Sequence, residues 1–176
     1  LPNMITDYFG DGRQLGVNIS YFHEPTPLGT AGSVKNAGAF IDDTFVVISG
    51  DAVTDIDLSE AIRFHKQSDA QITIVLKRVA IPLDYGVVVT GDNGRILRFL
   101  EKPDWGEVFS DTANTGIYII EPEIMAEIPE GRQYDFARDL FPQQLEKGVR
   151  MYGYVAPEYW CDIGDIDSYI RSQGDL

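Results

Sequence analysis

Thr44-Phe45-Val46-Val47-Ile48-Ser49, closed by Gly50-Asp51, is a short apolar run that ends in a glycine and an acid. A run of this length, without the alternation of a half-exposed strand, predicts a strand buried on both faces. Upstream, Val17 to Phe22 reads as another short strand closed by Glu24-Pro25, and Thr30 reads as the cap of a helix from about Gly32 to Phe40. Downstream, Asp57 with Glu60 resembles a capping box ahead of a helix through Leu58, Ala61, Ile62 and His65. Gln71 to Val79 is again a buried strand. Strand, helix, strand, helix, strand is the α/β pattern, and it predicts a parallel sheet with right-handed crossovers.

Further from this centre the character changes. Tyr85 to Thr90 and Arg95 to Glu101 flank Gly91-Asp92-Asn93-Gly94, a hairpin signal. Asn114 to Ile120 predicts a strand, Pro122 to Ile128 a helix, and Phe136 to Lys147 a helix kinked near Pro142. Met151 to Val155 and Tyr159 to Ile163 read as strands and Asp165 to Ser172 as a helix. No repeat, linker or low-complexity segment interrupts this order, so residues 1–176 read as one α/β domain with a mixed sheet.

Composition narrows the function. With 44% hydrophobic and 24% charged residues the chain is globular rather than disordered. No stretch approaches the roughly 18 apolar residues of a membrane span, and no secretory leader is visible. A net charge of −14 argues against a nucleic-acid partner, because phosphate neutralisation needs clustered Lys and Arg. It leaves a nucleotide substrate open, since a local cation can offset the field. The single cysteine, Cys161, fits a reducing, cytoplasmic setting and reads as a small buried hydrophobe. The chain opens Leu1-Pro2-Asn3-Met4, which suggests a processed product or a piece of something longer.

Ligands of open α/β sheets bind beyond the carboxyl ends of strands, where Asp51 stands. A carboxylate there faces the crevice or caps the next turn. Asp162 follows the apolar-aromatic Tyr159-Trp160-Cys161, where charge is seldom left unpaired, although it also precedes a helix start. Two such carboxylates on one crevice would make a hard-oxygen Mg²⁺ site completed by phosphate oxygens and water. Pro27-Leu28-Gly29-Thr30-Ala31-Gly32 is a glycine-bearing loop entering a helix, offering N–H donors to a ligand. Lys102 suits a phosphate and Glu101 can accept from sugar hydroxyls, though a solvated strand end looks the same.

The ordered series PLGTAG (27–32), SGD (49–51), DYGVV (84–88), FLEKP (99–103), NTGIYI (114–119) and WCDIG (160–164) resembles the sugar-1-phosphate nucleotidyltransferases. It is most similar to their mannose-1-phosphate guanylyltransferase branch. The resemblance implies a Rossmann-like mixed, mainly parallel sheet flanked by helices, and a Mg²⁺-dependent transfer from GTP to mannose 1-phosphate giving GDP-mannose and pyrophosphate. It implies metal-binding roles for Asp51 and Asp162, with Lys102 on the sugar phosphate. Leu28, Gly29 and Thr30 would lie against the base. Gly86, Glu101, Asn114 and Thr115 would form the sugar pocket, with Asp135 a further substrate-side candidate. The alternatives are a glucose-1-phosphate uridylyl- or thymidylyltransferase, and a non-catalytic regulatory subunit that binds nucleotide sugar.

Family members begin with a strand and an arginine-bearing glycine-rich loop (GGxGTRLRPLT), followed by a Pro-Lys-Pro segment, and this sequence contains none of them. Loss of one oxyanion-type donor lowers rates by about 10²–10³. The expectation is therefore that these 176 residues alone have little or no transferase activity. A strand edge left unpaired by the absent first strand would invite association, which makes a homo-oligomer a candidate state.

Overall fold

The fold is taken from a computed structural model, which describes residues 2–38, 41–82, 85–102 and 110–175. In chain order it runs α1 (Pro2–Phe9), a 3₁₀ turn (Arg13–Leu15), α2 (Gly29–Asn36), β1 (Phe45–Ile48), β2 (Ala52–Thr54), α3 (Leu58–Gln67) and β3 (Ile72–Arg78). Then follow β4 (Gly86–Thr90), β5 (Ile96–Glu101), β6 (Thr112–Ile120), a 3₁₀ turn (Pro122–Glu127), a π-helical turn (Phe136–Leu140), α4 (Phe141–Glu146), β7 (Met151–Val155), β8 (Trp160–Asp162) and α5 (Ile166–Asp175).

β6 is the axis of the sheet. β3 lies antiparallel along one edge of it. The other edge is shared, with β1 along Ile117–Ile120 and β4 at Ala113, both antiparallel. β5 continues from β4 through the predicted hairpin, and β7 lies parallel to β3. The chain is mixed α/β, and β1, β3, β4 and β7 all point one way. The parallel neighbours expected from the first half are nevertheless separated, because β6 inserts between β1 and β3. Sequence order alone could not reveal that insertion.

Alternation fixes the two faces. Ile72, Ile74 and Leu76 of β3, with Tyr118 and Ile120 of β6, pack under Phe136, Leu140 and Phe141. Val75, Ile117 and Ile119 face the other way, against Ile56 and Ala61. Burying both faces makes this pair of strands the core of the molecule.

Local expectations fared unequally. The hairpin forms, with Gly94 at a φ of 80° and the Gly91 N–H bonded to the Arg95 carbonyl. Asp57 caps α3 by accepting from the Ser59 and Glu60 N–H groups, but Glu60 turns to Arg63 and leaves the box half made. Pro142, which lacks an N–H, marks the change from π-helical to α-helical winding.

Three expectations are corrected. Val17 to Phe22 pairs with no strand among the described residues; its Ile19 N–H bonds back to Asp11 instead. β1 is not buried on both faces. Phe45 to Val47 are half-buried and Ile48 is 50% exposed, because β6 is the one strand β1 pairs with among the described residues. Thr30 does not cap α2, which begins at Gly29 with Leu28 as a cap lacking a side-chain bond. The expected helix end at Phe40, with Asp84 and Pro103 of the quoted motifs, lies outside the described residues.

Candidate active site

A short ladder separate from the main sheet builds the rim. β2 and β8 pair antiparallel, with Ala52 opposite Asp162, and the Ile163 N–H donates to the Asp51 carbonyl at 2.9 Å. Asp51 and Asp162, far apart in sequence, are thereby brought onto one cleft of about 330 Å³. Thr30, Gly86, Glu101, Lys102, Asn114, Thr115 and Asp135 line the same cleft. Leu28 and Gly29 do not. Leu28 is buried at a second cavity, and a Cβ on Gly29 would stand 2.7 Å from the Tyr134 carbonyl oxygen.

The base of the cleft is an irregularity in β6. Its register against β3 shifts between Ile74 and Leu76, where Gly116 adopts a φ of 76°. A side chain at Gly116 would lie 2.9 Å from the Ser49 Cβ, so glycine is required for the two strands to approach. The displaced backbone turns Asn114 into the cleft, where its amide donates to the Tyr118 hydroxyl at 3.0 Å and its carbonyl oxygen accepts from the Gly116 N–H. Thr115 behaves otherwise. Its hydroxyl is buried and donates to the Val75 carbonyl, while its own carbonyl accepts from the Trp160 indole N–H.

Opposite stands the end of β5. Glu101 lies beside Gly86, where any Cβ would come within 2.8 Å of the glutamate Oε2. Burial pushes the Glu101 carboxyl above its ordinary range; Lys102 opposes the rise and the charge of Asp135 adds to it. Lys102 holds a left-handed φ of 45°, an uncommon conformation for a non-glycine residue that Asp69 shares at 49°.

Asp135 proves to be a structural bridge as well as a lining residue. One oxygen accepts from the Ala137 and Arg138 N–H groups and so caps the π-helical turn. The other accepts from the Thr30 hydroxyl at 2.9 Å, and that hydroxyl in turn accepts from the Phe136 N–H. The N–H groups of Ala31 and Gly32, expected to face a ligand, both bond to the Tyr134 carbonyl. The PLGTAG loop is thus joined to residues 134–136 through its backbone.

Charge in the cleft is lopsided. Among the described residues that line it, Asp51, Glu101, Asp135 and Asp162 face one cation, Lys102. Burial raises the Asp162 carboxyl above the aspartate range; the Gly164 N–H counteracts it, and the nearby charge of Asp51 adds to the rise. Two hard carboxylates that repel one another suit a divalent cation. Among the described residues no third His, Cys, Asp or Glu joins them, which leaves positions for phosphate oxygens and water, as small hard cations favour. Ser49, Tyr85, Gly116, Tyr118 and Trp160 also line the cleft without having been singled out. Their only sequence signal was membership of the quoted motifs.

Comparison with known proteins identifies the family and the fold. A family model described as nucleotidyl transferase matches residues 1–176. The UTP–glucose-1-phosphate uridylyltransferase of Synechocystis sp. is 43% identical, covering 96% of this chain and 47% of its own length. The mannose-1-phosphate guanylyltransferase of Mycobacterium tuberculosis is 37% identical, covering 99% of this chain and 49% of its own. The chain therefore spans about half the length of these relatives. In fold it resembles HddC from Yersinia pseudotuberculosis, with a TM-score of 0.81 and 24% identity over 98% of this chain and 73% of that one.

Proposed function

The chain belongs to the nucleotidyl transferase family, and on that premise we propose that its cleft serves transfer of a nucleotidyl group from a nucleoside triphosphate to a sugar 1-phosphate. One observation carries the reading: the β2–β8 ladder puts Asp51 and Asp162 on a single cleft that also holds Lys102.

In the proposed reaction a phosphate oxygen of the sugar 1-phosphate bonds to the α-phosphorus in line, and the bond from that phosphorus to the bridging oxygen breaks, releasing pyrophosphate. Such chemistry asks the protein for position and charge rather than a covalent group. Lys102 neutralises the attacking sugar phosphate. Glu101 and Asn114 hold sugar hydroxyls, with Gly86 leaving room for the ring. Thr30 stands on the nucleotide side. Asp51 and Asp162 are the ligands proposed for Mg²⁺, which when bound supplies charge neutralisation at the transferring phosphate.

The PLGTAG motif favours GTP and mannose 1-phosphate. A second reading, UTP and glucose 1-phosphate, is favoured by the higher identity to the uridylyltransferase, 43% against 37%. Calorimetry of the purified chain with GDP-mannose, UDP-glucose and dTDP-glucose in Mg²⁺ tests both the class and the choice. One nucleotide sugar should bind at least tenfold more tightly than the others, and Lys102→Ala should weaken it. Absence of binding by all three, or indifference to Lys102→Ala, would overturn the proposal.

A further inference from the structure

We infer that Ser49 is a positioning residue for the divalent cation: its hydroxyl fixes one oxygen of Asp51 so that the other faces the cleft. The inference rests on the reading of Asp51 as a metal ligand. It concerns a side chain argued to act through Asp51.

Ser49 is the last residue of the β1 run, one step beyond the paired strand, and its N–H donates to the Gly116 carbonyl at 3.0 Å. That bond ties it to the irregular turn of β6. Its hydroxyl then donates to Asp51 Oδ1 at 2.5 Å, a short charge-assisted bond. The Asp51 backbone is held by the Ile163 N–H on its carbonyl, but that bond leaves the carboxylate free to rotate. Asp51 follows Gly50, around which nothing lies within 4 Å of a would-be side chain, so the backbone there has room to turn. Ser49 supplies the side-chain restraint that the backbone bond does not.

The approach of Ser49 depends on Gly116. A Cβ at position 116 would meet the Ser49 Cβ at 2.9 Å and its Oγ at 3.6 Å. The glycine of NTGIYI and the serine of SGD are therefore one device, built from two motifs on adjacent strands. Asp162 is held by its own separate bond, from the Gly164 N–H to its Oδ1 at 3.0 Å. Each aspartate thus has one oxygen fixed by a neighbour two residues away. Outer partners of metal-ligating carboxylates change metal affinity by about 10–100-fold when removed.

The test is Mn²⁺ binding by the 176-residue chain, read from the free-ion electron paramagnetic resonance signal. Ser49→Val and Ser49→Thr have the same shape and differ in the hydroxyl. Ser49→Val should weaken Mn²⁺ by about tenfold or more, Ser49→Thr should stay within about threefold, and both should unfold at the wild-type denaturant midpoint. Ser49→Ala provides a smaller version of the same deletion should the branched side chains disturb β1. Asp51→Asn separates this idea from its premise. If Asp51→Asn abolishes binding while Ser49→Val and Ser49→Ala bind as wild type, the role of Ser49 is overturned and the metal site stands. If Asp51→Asn binds Mn²⁺ as wild type does, the metal site fails, and the role of Ser49 with it.

Discussion

β6 carries a polar cluster toward each of its ends, and the two are built on opposite rules. Beyond its C-terminal end, buried His65 bonds through Nδ1 to the Thr73 hydroxyl at 2.8 Å and through Nε2 to Glu121 at 2.9 Å. Glu121 also accepts from the Thr44 hydroxyl at 2.7 Å. That cluster joins α3, β3, β6 and the approach to β1, and its polar groups answer one another. In the N-terminal half of β6, Asp51, Asp162, Glu101 and Asp135 crowd one cleft with Lys102 as the lining cation. The first cluster is closed in the sense that its groups satisfy one another, although His65 and Glu121 also border a cavity of about 310 Å³. The second is left charged and strained, the condition of a site that awaits a ligand.

The sharpest way to break this contrast is at the closed end. His65→Ala removes a buried ring, orphans the Thr73 hydroxyl and leaves Glu121 with Thr44 alone, which should destabilise the chain by about 3 kcal/mol. For a chain of this size that lowers Tm by roughly 6–12 °C. Nucleotide-sugar and Mn²⁺ affinities, measured below the transition, should not change. A large loss of affinity with little loss of stability would mean that the closed cluster belongs to the site.

The open end should answer in reverse. Lys102 carries a positive φ, and glycine there relieves the strain while deleting the proposed phosphate contact. Lys102→Gly should raise stability by about 1 kcal/mol in denaturant titrations. The same change should weaken nucleotide-sugar binding by roughly 10–100-fold, the value of a charge-assisted bond. Gain of stability with loss of binding is the signature of a residue held for function. A variant that lost both would place Lys102 in the scaffold.

The contrast also explains what could be read without coordinates. The hairpin at Gly91-Asp92-Asn93-Gly94, the buried run Ile72–Leu76 and the cap at Asp57 are local features, written in turn chemistry and alternation. Asp51 and Asp162 were reachable because each follows an apolar run, though only motif order suggested that they meet. The irregularity at Gly116 was illegible, since the need for a positive φ arises from Ser49 on another strand. Insertion of β6 between β1 and β3 was hidden for the same reason: nonlocal pairing overrides the βαβ expectation. Thr30 looked like a helix cap because its local context is that of one, but Asp135 and the Phe136 N–H, from a distant segment, give its hydroxyl different partners.

The finest test compares the two glutamates, one in each cluster. At Glu121 burial raises the carboxyl, but the hydrogen bonds from His65 and Thr44 outweigh it and hold the group below its ordinary value of 4.5. A depressed acid contributes stability that is present above 4.5 and is lost as pH falls through its lowered value. Glu101 is raised above 4.5, chiefly by burial, so the folded chain is favoured by its protonated form. That advantage is complete below 4.5 and disappears as pH rises through the raised value. The two neutral variants should therefore diverge. Glu101→Gln should be more stable than wild type at neutral pH and equal to it below 4.5, while Glu121→Gln should be less stable at neutral pH and converge on wild type in acid. Unfolding curves at a series of pH values read both slopes directly. Slopes of the same sign would show that the cleft carboxylate is satisfied within the fold, and the distinction between a closed and an open cluster would not survive.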